Sequence, residues 1–167
     1  MFGRDLSQEE GLAYGEMKET IYRKLLLQNP QTSRLVPGTE AFFDLLKANG
    51  VPMAIATAAP AENIEFYRGQ FGLDRWFSRE HIIYADGTLP GKPHPALFSR
   101  AIERLGIPAS ECIIVEDSTL GIRAAQAAGA GRIIGIFPDA SGRAVLEKWS
   151  LFRLIPDFQG MDLTIFD

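Results

Sequence analysis

Three short apolar runs most constrain what this chain can fold into: MAIA at 53–56, CIIV at 112–115 and IIGI at 133–136. None alternates polar with apolar residues, so each needs cover on both faces. The segments between them have helical spacing and glycine stops. Residues 40–49 carry Phe42, Leu45 and Leu46 and end at Gly50. Residues 60–71 open at Pro60 and end before Gly72; 95–105 end at Gly106; the Ala-rich stretch 120–128 ends at Gly129. Strands are expected at 51–57, 81–85, 112–115 and Arg132–Ile136, with a further helix at 140–149 and a last short strand at 152–155. Strands alternating with helices imply βαβ units, an α/β fold and a parallel sheet.

Ahead of this pattern, Ser7-Gln8-Glu9-Glu10 fits a capping box. A helix over Gln8–Gln28 follows, stopped by Asn29-Pro30. Its apolar face includes Leu12, Met17, Ile21, Leu25 and Leu26, while Gly11 and Gly15 weaken it by roughly 1 kcal/mol each.

Composition narrows the function classes. The 167 residues are 46% hydrophobic and 23% charged, which suits one folded domain and argues against disorder. Seventeen Lys+Arg against 21 Asp+Glu give a net charge of −4, so no broad basic footprint for nucleic acid is expected. The longest uncharged, mostly apolar stretch, 51–61, is about half of what a membrane span needs. The N-terminal MFGRDLSQEE has no apolar core of a signal peptide. Cys112 is the single cysteine, which fits a reducing compartment, and a cytoplasmic location is expected.

In a parallel α/β sheet, ligands bind beyond the C-terminal strand ends. Thr57 follows the strand 51–56, and its hydroxyl, with free N–H groups before the next helix, can cradle a phosphate or simply cap that helix. Lys92 stands in Gly-Lys-Pro-His-Pro, where two prolines restrict its reach; it is either a held counter-charge for an anion or a surface lysine in a turn. Glu116-Asp117-Ser118 closes the CIIV strand; two adjacent carboxylates can hold Mg²⁺, or the group can cap a helix with Glu116 in solvent. A hydroxyl, a lysine and a carboxylate pair at one end of successive strands together make a phosphate–Mg²⁺ site.

The order VPMAIATAAP, GKPHPALF and IIVEDSTLGIRAAQAAG resembles motifs II, III and IV of the haloacid dehalogenase superfamily, in its β-phosphoglucomutase-like branch. The likeness runs from about Leu35 to Phe137. It implies a Rossmann-like three-layer α/β/α core over 35–167 and a remnant of a helical cap over 1–34. It also implies Mg²⁺-dependent phosphoryl transfer on a small phosphorylated metabolite, by way of an aspartyl-phosphate. Thr57 and the N–H of Ala58 would bind the phosphoryl group, Lys92 would neutralise it, and Glu116 and Asp117 would hold Mg²⁺.

The family opens with a D-x-D-G-T/V strand whose first Asp is the nucleophile, and no such segment precedes residue 35. The chain as given is therefore expected to be inactive or nearly so, with an open sheet where that strand belongs. The alternative is a non-catalytic phosphate- and Mg²⁺-binding module that exchanges a strand, for instance in a homodimer. Asp86-Gly87 reads as turn chemistry. Residues 163–167 (LTIFD) resemble the start of the absent strand but read as an ordinary tail. His94 reads as a structural or solvated histidine, and Trp76 and Trp149 read as packing residues.

Overall fold

Caps and glycines set the element boundaries. The structure, a computed structural model, describes residues 7–29, 31, 33–137 and 148–167. Helix α1 (Gln8–Gln28) starts with the expected capping box: the Ser7 hydroxyl accepts from the Glu10 N–H at 3.2 Å, and the Glu10 carboxylate accepts from the Ser7 N–H at 2.9 Å. Helix α2 (Thr39–Ala48) follows Gly38, whose φ is 81°. A Cβ there would lie 2.4 Å from the Gln159 nitrogen, so the residue-158 loop can cross only a glycine. The remaining elements are β1 (Ile55–Ala56), α3 (Ala61–Phe71), β2 (Ile82–Ile83), α4 (Ala96–Leu105), β3 (Ile113–Glu116), α5 (Thr119–Ala127), β4 (Arg132–Ile136) and β5 (Arg153–Ile155).

All strand pairs are parallel, as expected, but they form two sheets: β1-β2 and β3-β4-β5. The strand expected over 51–57 is a ladder only at Ile55↔Ile82 and Ala56↔Ile83. Apolarity makes 51–54 suitable for a strand, but a ladder also needs a neighbour, and among the described residues β1 pairs with β2 alone. The strand expected over 81–85 shrinks to Ile82–Ile83 for the same reason, with Thr57 N–H to Ile83 O and Ala85 N–H to Ala59 O continuing the contact irregularly. The helix expected at 140–149 lies outside the described residues except for Lys148 and Trp149, which are not helical.

Side chains alternate along each strand and sort the helices into two layers. Ile114, Ile133 and Ala56 pack with Phe98 of α4 and Ile122, Ala124 and Ala125 of α5. The two alanines are fully buried and let α5 lie close on the sheet. On the opposite face, Ile113, Val51 and Met53 pack with Phe42 and Leu46 of α2. A third cluster joins Ile55 and Ile82 to Ile64 of α3 and to Trp76 and Phe77. Both faces of the break are thus bridged by side chains. Helix α4 touches β1, β2 and α5, and the α2 cluster touches residues from both half-sheets.

The C-terminal residues complete that second bridge. Leu163–Phe166 form one 3₁₀ turn capped by the Asp162 carboxylate, which accepts from Thr164 N–H at 3.0 Å. Ile165 is buried against Phe42 and Leu46, so the tail docks on the core and adds no strand. No described helix is long and apolar enough to cross a membrane. Replacing Ile165 with Ala is expected to destabilise the chain by about 2–4 kcal/mol, read as a lower urea midpoint. A loss below about 0.5 kcal/mol would show that the tail does not hold the half-sheets together.

Candidate functional site

The period of two along β3 puts Glu116 on the same face as Ile114, toward Phe98 and Ile122. Glu116 is only 6% exposed, and both of its carboxylate oxygens accept hydrogen bonds. Lys92 Nζ donates to Oε2 at 2.6 Å. The Ser118 hydroxyl and N–H donate to Oε1 at 2.8 and 3.2 Å. Burial alone would raise the Glu116 pKa, but the Lys92 ammonium and the Ser118 hydrogen bond outweigh it and hold the carboxyl below its ordinary value. Glu116 is therefore not the solvated carboxylate of the plainer alternative.

Lys92 is not a surface lysine either. The Lys92-Pro93 peptide is cis, and the side chain is 17% exposed. Its ammonium lies 4.7 Å from the centroid of the buried Phe98 ring, so an aromatic face supports it from α4 while Glu116 neutralises it. Ser118 does two jobs. Its hydroxyl donates to Glu116 and accepts from the Gly121 N–H at 3.0 Å, capping α5. Gly121 leaves the space that Glu116 fills: a Cβ there would sit 2.0 Å from the Glu116 carboxyl carbon.

Asp117 is exposed at the mouth of this group. Partial burial of its carboxyl, the hydrogen bond with Glu116 and the charge of Glu116 push its pKa up. A cation placed there would relieve that repulsion. The donors are all hard carboxylate oxygens, which suits Mg²⁺. Among the described residues no third acidic, His or Cys side chain joins them, so Glu116 and Asp117 would supply part of a shell completed by water or phosphate.

Thr57 and Ala58 follow β1, whose Ala56 packs into the same cluster as Phe98 and Ile114. They make no hydrogen bond with Lys92, Glu116 or Asp117 among the described residues. Thr57 does not cap α3, whose N-cap is Pro60; its hydroxyl accepts from Ala59 N–H at 3.1 Å. The Thr57 hydroxyl proton and the exposed Ala58 N–H have no partner among the described residues, which leaves two donors at the strand end. His94 is exposed, and its Nδ1 accepts from Ala96 N–H at 3.2 Å; His81 contacts the Ser78 hydroxyl and the Arg104 carbonyl. Asp86 accepts from Thr88 N–H and hydroxyl beside Gly87 at φ 83°, which is turn chemistry. A cavity of about 510 Å³ lined by Gln126, Arg132, Ser150 and Phe152 includes none of these residues and opens at the opposite, N-terminal end of β4.

Parallel strands covered on both faces, with a lysine and two carboxylates at their C-terminal ends, define a Rossmann-like α/β protein with a candidate phosphate site. The chain belongs to the haloacid dehalogenase-like hydrolases, whose family profile matches residues 3–129. It is 28% identical over 144 residues to a phosphorylated carbohydrates phosphatase of Thermotoga maritima, covering 85% of this chain and 62% of that protein. A crystal structure of a family IA, variant 3 hydrolase of this superfamily from Entamoeba histolytica superposes with a TM-score of 0.89 at 31% identity, covering 98% of this chain and 72% of that one. A superfamily hydrolase from Deinococcus radiodurans, solved with bound phosphate and sodium, superposes with a TM-score of 0.70 at 25% identity, covering 95% and 74%. The chain spans about three fifths of the first curated relative and less of several others.

Removing one partner of the buried pair strands the other charge. Lys92→Ala is expected to cost about 3 kcal/mol and to raise the Glu116 pKa. The double variant Lys92→Ala/Glu116→Gln should cost clearly less than the two single changes summed, measured by urea unfolding at pH 7. Additive costs would show that the two groups do not interact in solution. Gly121→Ala is expected to displace the Glu116 carboxylate and to destabilise by about 1–3 kcal/mol. Unchanged stability would contradict the close approach.

Proposed function

We propose that this chain carries the phosphate- and Mg²⁺-binding part of a phosphatase site for a small phosphorylated metabolite. The single observation that carries the proposal is the 2.6 Å pair of Lys92 with buried Glu116 beside exposed Asp117. Lys92 offsets the charge of a phosphoryl group and keeps Glu116 in place. Thr57 donates its hydroxyl proton, and Ala58 its N–H, to phosphoryl oxygens. Glu116 and Asp117 would hold Mg²⁺, which would add positive charge to stabilise the phosphoryl group. The nucleophilic carboxylate of the family's aspartyl-phosphate chemistry has no counterpart among the described residues near this group. The 167-residue chain therefore binds phosphate with Mg²⁺ but turns over phosphomonoesters weakly or not at all. Helix α1 is the part of the cap that this chain contributes.

Calorimetry with inorganic phosphate and Mg²⁺ tests the binding. Lys92→Ala is expected to weaken phosphate about tenfold or more, a loss of one charge-assisted contact. Hydrolysis of a generic phosphomonoester should stay near background. Robust turnover that survives Lys92→Ala would overturn the assignment.

The break between β1 and β3 favours a second reading, an assembly module that accepts a strand in trans. A dimer formed that way exchanges slowly and persists on dilution. A protein that sediments as a rapidly reversible species or a monomer counts against it.

A further inference from the structure

Asn49-Gly50, at the C-terminal end of α2, is the only Asn-Gly pair in the sequence. An Asn side-chain carbonyl carbon and the next backbone nitrogen can close a five-membered ring, an intramolecular step that needs no second reactant. Glycine leaves that nitrogen unshielded, and a Cβ at Gly50 would meet nothing within 4 Å. Asn49 and Gly50 are both exposed. The other two asparagines lack these conditions. Asn29 precedes Pro30, which has no N–H, and Asn63 is 2% exposed and precedes β-branched Ile64.

The fold holds the pair shut. Gly50 N–H donates to Lys47 O at 3.1 Å and Val51 N–H to Leu46 O at 3.0 Å, the two bonds of a Schellman cap, with Gly50 at φ 67°. Val51 packs in the same apolar cluster as Leu46, which closes the cap. The Asn49 amide donates to Leu45 O at 2.8 Å. With ψ of Asn49 at 10°, the Gly50 nitrogen nearly eclipses the Asn49 nitrogen, whereas ring closure requires it to swing toward Cβ. Nucleophile and electrophile are tied down by one helix end, and opening that end releases both.

We propose that Asn49-Gly50 is a self-modification site gated by the C-terminal cap of α2. When the cap opens, the Gly50 nitrogen gives up its proton and attacks Asn49 Cγ. The N–Cγ bond forms, the Cγ–Nδ2 bond breaks, and ammonia leaves carrying a proton in place of the one released. Water then opens the succinimide at one carbonyl or the other, giving aspartate or isoaspartate. Either product sets a carboxylate beside the last carbonyls of the helix and removes the donor to Leu45 O. Isoaspartate also adds a methylene to the main chain between Leu46 and Val51, so the two cap bonds lose their register. Helix α2, whose Phe42 and Leu46 help to bridge the half-sheets, is then loosened at one end.

Peptide-mapping mass spectrometry on the full chain, incubated at mildly alkaline pH in buffer and in urea, tests this. The peptide holding Asn49 should gain the mass of an amide turned to acid about tenfold or more slower in buffer than in urea, since only locally opened molecules react. Val51→Ala trims the apolar contact of the cap. It should speed the reaction severalfold in buffer, with circular dichroism showing the helices intact, and leave the rate in urea unchanged. Asn49→Gln, which would need a larger ring, should abolish the mass gain. Equal rates in buffer and in urea overturn the gating, and no reaction in urea overturns the site itself. A folded Val51→Ala protein that reacts no faster than the wild type in buffer also overturns the gating.

Discussion

The ion pair of Lys92 and Glu116 joins two halves of a sheet that backbone hydrogen bonds leave apart. Lys92 follows β2 and Glu116 ends β3, so their 2.6 Å contact spans the break at the C-terminal strand ends. Taking both charges out of water costs several kcal/mol per ion, and only close geometry with added hydrogen bonds offsets that. Ser118 and the Phe98 ring provide those additions here, one on each partner. The other links are apolar: Phe98, Ala56 and Ile114 on one face, Phe42, Leu46 and Ile165 on the other. Apolar packing sets how close the half-sheets lie. The charged pair sets the relative position of their ends, because a hydrogen bond is directional and burial is not.

The sequence made some of this plain and left other parts closed. The capping box located α1 to the residue, Gly72 and Gly106 fixed the ends of α3 and α4, and β4 forms over the full predicted stretch. Those features are local: the cap or stop residue is within a few positions of what it stops. The strand at 51–57 fell short because a ladder depends on the neighbouring strand, which its own apolarity does not encode. Lys92 and Glu116 were legible as candidates but not as partners. They stand 24 residues apart, and the crossover through α4 brings them together. Phe98 and Gly121 gave no sign of their roles. One is an ordinary apolar helix position and the other an ordinary helix glycine until the ammonium and the carboxylate are in view.

Ser118 shows why a helix cap and a buried carboxylate are not exclusive readings of Glu116-Asp117-Ser118. Ser118 was expected only as a cap of the following helix, with Glu116 then left in solvent, yet the hydroxyl is bound on both sides. It accepts from Gly121 N–H as a cap must, and it has one proton left, which goes to Glu116. The start of α5 and the buried carboxylate are thereby one unit. A change in either is felt by the other, because one hydroxyl serves both.

Helix α1 is held differently from the core helices. Asn63 is 2% exposed, and its amide bonds to both Glu19 and Arg23. A buried amide left without those partners would lose its hydrogen bonds and keep its desolvation cost. That asymmetry fixes where α1 crosses α3 but adds little net stability. Met17, Ile21 and Leu25, the kind of residues that stabilise most helices by burial, are exposed on α1. The orientation of α1 is therefore specified by a polar clasp rather than by apolar burial.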